Sequence, residues 1–192
     1  MLNDADLPTW SQGAVAEARN SISRFGCLRA RLSLVDPAVG GRRHPVFAGW
    51  RVAWNIGNRA DGQRPDNDAI VLPEGSSSIS PGGASMVLVV PIYPNRWVHV
   101  ESGDVLRMRD GNRIIGSATV VDRVAPTNEH LVGRWPPFTI VRFLHDLEGF
   151  PAGTTATIVD VFADGYEVEI EGESGETTGL AFVGDDDLEW RG

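Results

Sequence analysis

The sequence predicts an all-β protein of two small barrels with a short N-terminal helix. Two observations indicate this fold. Apolar stretches of strand length alternate with turns rich in Gly, Pro, Asn and Asp along most of the chain. Charge then divides the chain in two. Residues 1–138 contain 15 Arg and 13 Asp and Glu, a net charge of +2, and residues 139–192 contain 2 Arg and 13 Asp and Glu, a net charge of −11.

Residues 1–24 are interpreted as a leader. Helix-forming residues from Pro8 to Arg24 predict a short helix, with Thr9 or Ser11 as its N-cap. Trp10 and Val15 would pack this helix against the following barrel. A frayed leader is the alternative.

Residues 25–124 predict a six-stranded barrel, because six stretches have the pattern of strands. These are residues 27–35, 46–56, 69–72, 84–92, 105–109 and 113–123. The first alternates apolar residues with outward-facing arginines. In the second, Trp50 and Trp54 share one face, for which core packing is favoured over a base-stacking platform. Residues 57–68 are polar throughout and predict a loop, which is either decoration or a binding element.

Residues 125–138 predict a linker, because Pro136 and Pro137 cannot donate to a β-ladder. Residues 139–192 contain five short strand-like stretches and predict a small acidic SH3-like barrel. In the third stretch, Glu167, Glu169 and Glu171 occupy alternate positions. Period two places these three carboxylates on one outward face.

Four motifs of the first barrel occur in a fixed order. They are a Gly-Gly-Arg turn, an Arg-bearing strand, a Leu-Pro-Glu-Gly turn and an Arg-rich hairpin. They are carried by Gly40, Gly41, Arg42, His44 and Pro45, by Trp50, Arg51 and Val52, by Leu72 to Gly75, and by Leu106, Arg107, Arg109, Gly111, Arg113 and Gly116. Together they resemble the third domain of elongation factor Tu and related translational GTPases. The resemblance implies a translation-factor-type barrel, in which Arg42, His44 and Arg51 would contact the backbone of a tRNA T-stem.

A second set of motifs covers the acidic part of the chain. They are Asp146-Leu147, Gly153 to Val159, Tyr166 to Glu169 and Asp186-Asp187-Leu188. They resemble a small, uncharacterised family of bacterial domains. The resemblance implies the fold of the second barrel, and members of that family often lie beside genes of toxin or conflict systems.

The residue types present argue against catalysis. All 17 basic residues are Arg, so the chain has no Lys for a phosphate-binding loop or a Schiff base. The four His residues lack metal-ligand spacing, and Cys27 is the single cysteine. A cation site at Asp185 to Asp187 is disfavoured, because adjacent carboxylates in a turn usually face water. We therefore expect no catalytic residue, cofactor, metal or nucleotide.

The sequence also predicts a cytoplasmic location without membrane contact. No apolar run is long enough to span a bilayer. The acidic N-terminus lacks the basic and apolar regions of a signal peptide.

These observations predict a non-catalytic protein that binds another macromolecule. We expect an immunity or antitoxin-like factor of a bacterial conflict system, whose acidic barrel binds a basic, toxin-like protein. The residues expected to bind it are Glu167, Glu169, Glu171, Asp185, Asp186 and Asp187. The alternative is a translation-associated protein that binds tRNA or other RNA. The residues expected for RNA are Arg29, Arg31, Arg42, Arg43, His44 and Arg51.

Overall fold

The structure is a computed structural model that describes residues 7–57, 66–128, 134–147, 149–172 and 176–191. Residue contacts divide the chain into two compact units, Met1–Thr127 (the N-terminal unit) and Asn128–Gly192 (the C-terminal unit). This division lies within residues 125–138. Most of the described secondary structure is β, with one α-helix near the N-terminus, which confirms the predicted fold class.

The N-terminal unit contains a closed barrel of six antiparallel strands, as predicted. The described strands of this unit are β1 (Cys27–Leu34), β2 (Val46–Phe47), β3 (Trp50–Asn55), β4 (Asp66–Pro73), β5 (Ser78–Ile79), β6 (Ala84–Pro91), β7 (Val105–Asp110) and β8 (Arg113–Val124). The barrel follows the order β1-β6-β4-β3-β7-β8. The remaining two, β2 and β5, pair with each other, and the sequence did not indicate this small sheet.

Alternation along β1 builds one wall of the barrel. Leu28, Ala30 and Leu32 are at most 1% exposed, whereas Arg31 and Ser33 face solvent. Apolar side chains thus leave water on one face while the arginines stay hydrated on the other. The same core encloses the side chain of Trp54 near the end of β3, which is fully buried. Core packing of that Trp is therefore confirmed.

The helix α1 (Thr9–Phe25) packs against the outside of the barrel. Val15 and Ala18 are buried there in a cluster with Ile70, Leu72 and Val90 from β4 and β6. The helix therefore covers the outer face of these two strands. In the part of the chain that the structure describes, no helix is both long enough and apolar enough to cross a membrane.

The start of α1 differs from the prediction. Neither Thr9 nor Ser11 is the N-cap, because Pro8 occupies that position and Thr9 is the first helical residue. The Ser11 hydroxyl instead donates a 2.9 Å hydrogen bond to the Pro8 carbonyl. Proline suits a helix start because it lacks a backbone N–H that would otherwise need a partner.

The polar loop predicted at residues 57–68 is partly wrong. Residues 58–65 lie outside the described part of the chain, but Asp66, Asn67 and Asp68 belong to β4. Their backbones pair with Asn55, Trp54 and Ala53 of β3, in that order. The strand was not predicted here because these three side chains are polar, whereas its hydrogen bonds with β3 are made by the backbone.

The C-terminal unit contains a five-stranded antiparallel sheet. Its strands are β9 (Ile140–Phe143), β10 (Thr155–Val161), β11 (Tyr166–Glu171), β12 (Thr177–Val183) and β13 (Leu188–Trp190), in the order β12-β11-β10-β9-β13. Val141, Phe143, Ile158 and Val168 are at most 1% exposed on its inner face. This unit therefore has an apolar core of its own.

Candidate partner-binding surface

The carboxylates of β11 lie on the outer face of the C-terminal sheet. Val168 and Ile170 are buried, whereas Glu167 and Glu169 are half-buried and Glu171 is exposed. Each inward residue therefore alternates with an outward carboxylate, as period two requires.

Exposed apolar side chains lie directly beside these carboxylates. Across the strand pair, Glu167 is the neighbour of Phe182 and Glu169 is the neighbour of Leu180. Phe182 is 54% exposed and Leu180 is 59% exposed. The Phe162 ring is also exposed, with its centroid 5.7 Å from that of Phe182. We call these five residues (Phe162, Glu167, Glu169, Leu180 and Phe182) the Glu167 face.

Electrostatics make the Glu167 face attractive to cations. Asp160 of β10 is the cross-strand neighbour of Glu167, and like charges in such a pair repel each other. The Thr177 hydroxyl donates a hydrogen bond to the Glu169 carboxylate. In the whole C-terminal unit, 3 Arg oppose 14 Asp and Glu, a net charge of −11. A basic group that approaches this face therefore meets little competing positive charge.

The three aspartates that precede β13 do not join the Glu167 face. The Asp185 carboxylate lies 2.9 Å from an Arg134 guanidinium nitrogen. It also forms a hydrogen bond with the Tyr166 phenol. Burial, the larger effect, and this hydrogen bond both raise the pKa of Tyr166. Because the Tyr166 side chain is buried on the inner face, Asp185 supports the core side of the sheet.

Asp187 also has a local structural contact. Its carboxylate accepts a 2.8 Å hydrogen bond from the Gly184 backbone N–H, and it lies 3.3 Å from the His145 ring. This contact closes the single 3-10 turn between β12 and β13. Asp185 and Asp186 are both exposed, whereas Asp187 is half-buried. Of the six predicted acidic residues, the structure brings only those of β11 onto one sheet face.

Three of the predicted RNA-binding arginines have a carboxylate partner, and Arg29 and Arg51 have the shorter contacts. The Arg29 guanidinium makes a two-pronged contact with Glu74, at 3.1 Å from Nε and 3.1 Å from Nη2. The Arg51 guanidinium binds Asp68 at 3.0 Å and 2.9 Å. Arg31 is exposed, and it has no ion pair with any described residue. An RNA phosphate would have to replace the carboxylate of Glu74 or Asp68.

These arginines also lie on separate parts of the barrel. Arg29 and Arg31 belong to β1 and Arg51 belongs to β3, with β6 and β4 between those two strands. The outer face of β4 and β6 is the face that α1 covers. On this side of the barrel, the helix therefore separates Arg51 from the β1 arginines.

The Gly-Gly-Arg turn forms a second, smaller basic region. The Arg42 guanidinium stacks over the Trp50 ring at 4.1 Å from its centre and lies 3.5 Å from the Asp110 carboxylate. Its neighbours Arg43 and His44 are exposed. Arg42 is thus held by a cation–π contact and an ion pair, while the two residues after it face solvent.

One further arginine joins that turn. Arg113 of β8 lies 3.8 Å from the Asp110 carboxylate that also binds Arg42. Arg113 could not be grouped with this turn from the sequence, because the hairpin of β7 and β8 brings it there. The Asp110 carboxylate thus forms ion pairs with two guanidinium groups, so the net charge of this region stays positive.

A cleft of about 280 Å³ opens beside the start of β1. Cys27 is part of its lining, with Trp97 and Arg123. Two nitrogens of the Arg123 guanidinium, Nε and Nη2, donate to the carbonyls of Trp97 and Val100, so these donors are bonded to the same unit. Burial, reinforced by the carboxylates of Asp122 and Glu74, raises the pKa of Cys27 to about 12. The cleft therefore holds a protonated thiol, which is a poor nucleophile.

The rate of Cys27 alkylation tests whether this thiol is protonated in the folded protein. At pH 8, iodoacetamide should label Cys27 in the folded protein about a thousandfold more slowly than in urea, since a pKa raised from 9.0 to about 12 removes that much thiolate. Above pH 9 the unfolded thiol is largely ionised and its rate levels off, so the ratio of the two rates falls about tenfold per pH unit until the folded thiol also ionises. Mass spectrometry of timed samples measures both rates. Labelling of the folded protein within tenfold of the urea rate would contradict a buried, protonated thiol.

Metal binding has no support in the described residues. Among them, no group of three or more His, Cys, Asp and Glu side chains is placed to hold a metal ion. No protein-family model matches the sequence. The Glu167 face is therefore the site that combines charge, exposure and a defined geometry.

Proposed function

We propose that this is a non-catalytic binding protein whose C-terminal unit holds a basic protein on the Glu167 face. The observation that carries the proposal is the pairing of Glu167 with exposed Phe182 and of Glu169 with exposed Leu180. Apolar contact and charge thereby occur on adjacent strands of one sheet. Protein interfaces use this combination, with aromatic residues in the centre and charges that select the partner.

The excess of acidic residues supports a basic partner in particular. A net charge of −11 in the C-terminal unit attracts cations over a distance of about 10 Å at moderate salt. That attraction speeds encounter, while the exposed Phe and Leu side chains slow dissociation. A toxin-like protein that acts on nucleic acid would present the required positive surface.

The proposed biological role is that of an immunity or antitoxin-like factor in a bacterial conflict system, acting in the cytoplasm. It rests on the resemblance of the acidic unit to bacterial domains encoded near such systems. The β12-β11-β10-β9-β13 order is compatible with an SH3-like barrel. The closed six-stranded barrel is likewise compatible with the translation-factor type. We propose these two relationships as the origin of the units.

The test compares two lysine substitutions that change the charge equally. Glu167→Lys lies in the Glu167 face, and Asp186→Lys is exposed elsewhere in the same unit. Immobilised full-length protein is used to isolate basic proteins from extract of the native host, and the affinity of the purified partner is then measured for each variant. We expect Glu167→Lys to weaken binding about tenfold or more and Asp186→Lys to weaken it less than about twofold.

Salt dependence completes this test. The unmodified protein should lose affinity between low and physiological salt, and Glu167→Lys should reduce that dependence because one charge pair is gone. Equal losses in both variants would show that net charge alone matters. Failure to retain any basic protein would contradict the proposed function.

RNA binding is the second candidate, favoured by the exposed Arg43 and His44 beside Arg42 and Arg113. Bulk tRNA is therefore titrated in the same assay. Binding to tRNA that Glu167→Lys leaves unchanged would assign the activity to the basic turn. Because Glu74 and Asp68 already hold Arg29 and Arg51, the basic protein remains the first candidate.

A further inference from the structure

The strand β12 leaves one edge of the C-terminal sheet open. In the described residues it pairs with β11 alone. Its seven residues, Thr177–Val183, include no charge and no proline. Natural sheets usually protect such an edge with charges, prolines or a covering segment, because its free N–H and C=O groups can pair with another chain.

The opposite edge of the same sheet is protected. There β13 has three residues, and its Glu189 forms an ion pair with Arg142 of β9. A short, charged strand offers few groups to an incoming chain. Of the two edge strands of this sheet, β13 is therefore short and charged, whereas β12 is long and uncharged.

The part of β12 that could pair with a further strand has regular backbone pairing on its other side. From Gly179 to Val183 each residue pairs in register with β11, without a bulge. Ala181 and Val183 are buried, whereas Leu180 and Phe182 point outwards. Gly179 is fixed from the inner side, where an added Cβ would lie 2.7 Å from the Phe150 ring. This packing holds the edge in an extended conformation that can accept a further strand.

We propose that the basic partner binds by adding an extended segment as a sixth strand beside β12. This inference rests on the proposed function and specifies its partner. Apolar side chains of the segment would pack on Leu180 and Phe182, as cross-strand pairs do. Two strand spacings separate the segment from β11, about 10 Å, which an Arg or Lys side chain can cross to reach Glu167 or Glu169. The segment therefore carries apolar and basic side chains on the same face.

Charge favours this partner over a second copy of the chain. A second copy would bring another unit of net charge −11 to the edge. Its carboxylates would repel the ones already present, whereas a basic segment is attracted. Strand addition also gives a use to both neighbouring features, because the open edge of β12 would bind the backbone of the segment and the carboxylates of β11 would bind its basic side chains.

Two synthetic peptides of identical composition test the proposal on the full-length, 15N-labelled protein. The first is acetyl-Arg-Thr-Val-Thr-Val-Thr-Arg-amide, which places Arg and Val on one face of a strand. The second, acetyl-Arg-Arg-Val-Thr-Thr-Val-Thr-amide, divides them between the faces. We expect the first peptide to shift alternate backbone amides of β12 and to slow their hydrogen exchange, and to bind about fivefold or more tightly than the second.

A matched pair of variants locates the site. Leu180 on β12 is 59% exposed and Trp190 on β13 is 61% exposed, so each accepts lysine at similar cost to folding. We expect Leu180→Lys to weaken the first peptide about tenfold, because an edge lysine repels the basic segment and removes the apolar contact. Trp190→Lys should leave the affinity for the first peptide unchanged.

Each outcome decides between the alternatives. If a host protein binds the Glu167 face but the first peptide leaves the β12 amides unchanged, strand addition is wrong and the proposed function stands. If neither binds, both fail. Equal binding of the two peptides, or equal effects of the two lysine variants, would reduce the interaction to charge alone and overturn the proposal. Protection of β12 amides that grows with protein concentration, without peptide, would assign the edge to a second copy.

Discussion

A Gly41→Ala chain should lose most of the stability of its N-terminal barrel. Gly41 follows the turn after β1, and a Cβ there would lie 1.8 Å from the Val35 carbonyl oxygen. The contacted atoms belong to the backbone of Val35 and Asp36, so no side chain can rotate to make room. The Gly41 N–H also donates a 2.9 Å hydrogen bond to the Asp36 carbonyl, which a shift of the turn would break. We expect a loss of about 4 kcal/mol or more.

Gly40→Ala is the matched control. Gly40 has a φ of +100°, but no atom lies within 4 Å of its hypothetical Cβ. Alanine at this position therefore pays for an unfavourable backbone conformation alone, about 1–2 kcal/mol. Urea denaturation, followed by Trp fluorescence and circular dichroism, compares the two variants. Equal midpoints for Gly40→Ala and Gly41→Ala would show that close packing at Gly41 does not matter.

A Phe143→Ala chain should unfold its C-terminal unit while the barrel of the N-terminal unit stays folded. Phe143 is 1% exposed, and its ring packs edge-on against Phe150 with centroids 6.4 Å apart. Removal of such a ring costs about 3–5 kcal/mol. A unit of this size has a total stability of about 3–10 kcal/mol, so the loss removes most or all of it.

Two-dimensional NMR separates the units in this experiment. We expect the amide signals of β9 to β13 to collapse to unfolded positions, while those of β1 to β8 keep their dispersion. Phe182→Ala is the control, because Phe182 is exposed and should change stability by less than about 1 kcal/mol. If the signals of both units disappear together in Phe143→Ala, the two cores do not fold separately.

Periodicity predicted the strands well where one face of the chain is apolar. The stretch from Leu28 to Leu34 alternates, and its burial alternates in the same register, whereas Cys27 is buried in the cluster under α1. Prediction failed where strand formation depends on a neighbour. Asp66 to Asp68 have no apolar side chain, yet their backbone pairs with β3. The short strands β2 and β5 have two residues each, which is too little to show a period.

The candidate site was predictable in part. Alternation of Glu167 and Glu169 with buried residues placed them on the outer face of β11, which follows from strand geometry alone. The exposure of Leu180 and Phe182 did not follow from the sequence. Thr177–Val183 does not alternate polar and apolar residues, so its sequence does not show which side chains face solvent. Only the structure shows that Leu180 and Phe182 stay exposed on the outer face of the sheet.

The local roles of Asp185 and Asp187 were also hidden in the sequence. Their contacts with Arg134 and with the Gly184 N–H depend on the turn before β13. A run of carboxylates suggests a solvated patch, because composition alone does not show which oxygen meets a backbone donor. The arginines present the same difficulty, since Glu74 and Asp68 become their partners only through the pairing of distant strands.

The open β12 edge also has a consequence for handling the protein. At neutral pH, colloidal repulsion between strongly negative molecules keeps these uncharged seven-residue strands apart. Acidification towards the sequence pI of about 4.8 removes the net charge and with it this repulsion, but it leaves the hydrogen-bonding groups of the edge unchanged. Mildly acidic storage therefore favours fibrils that grow from this edge, and a neutral buffer of low ionic strength preserves the dispersed protein.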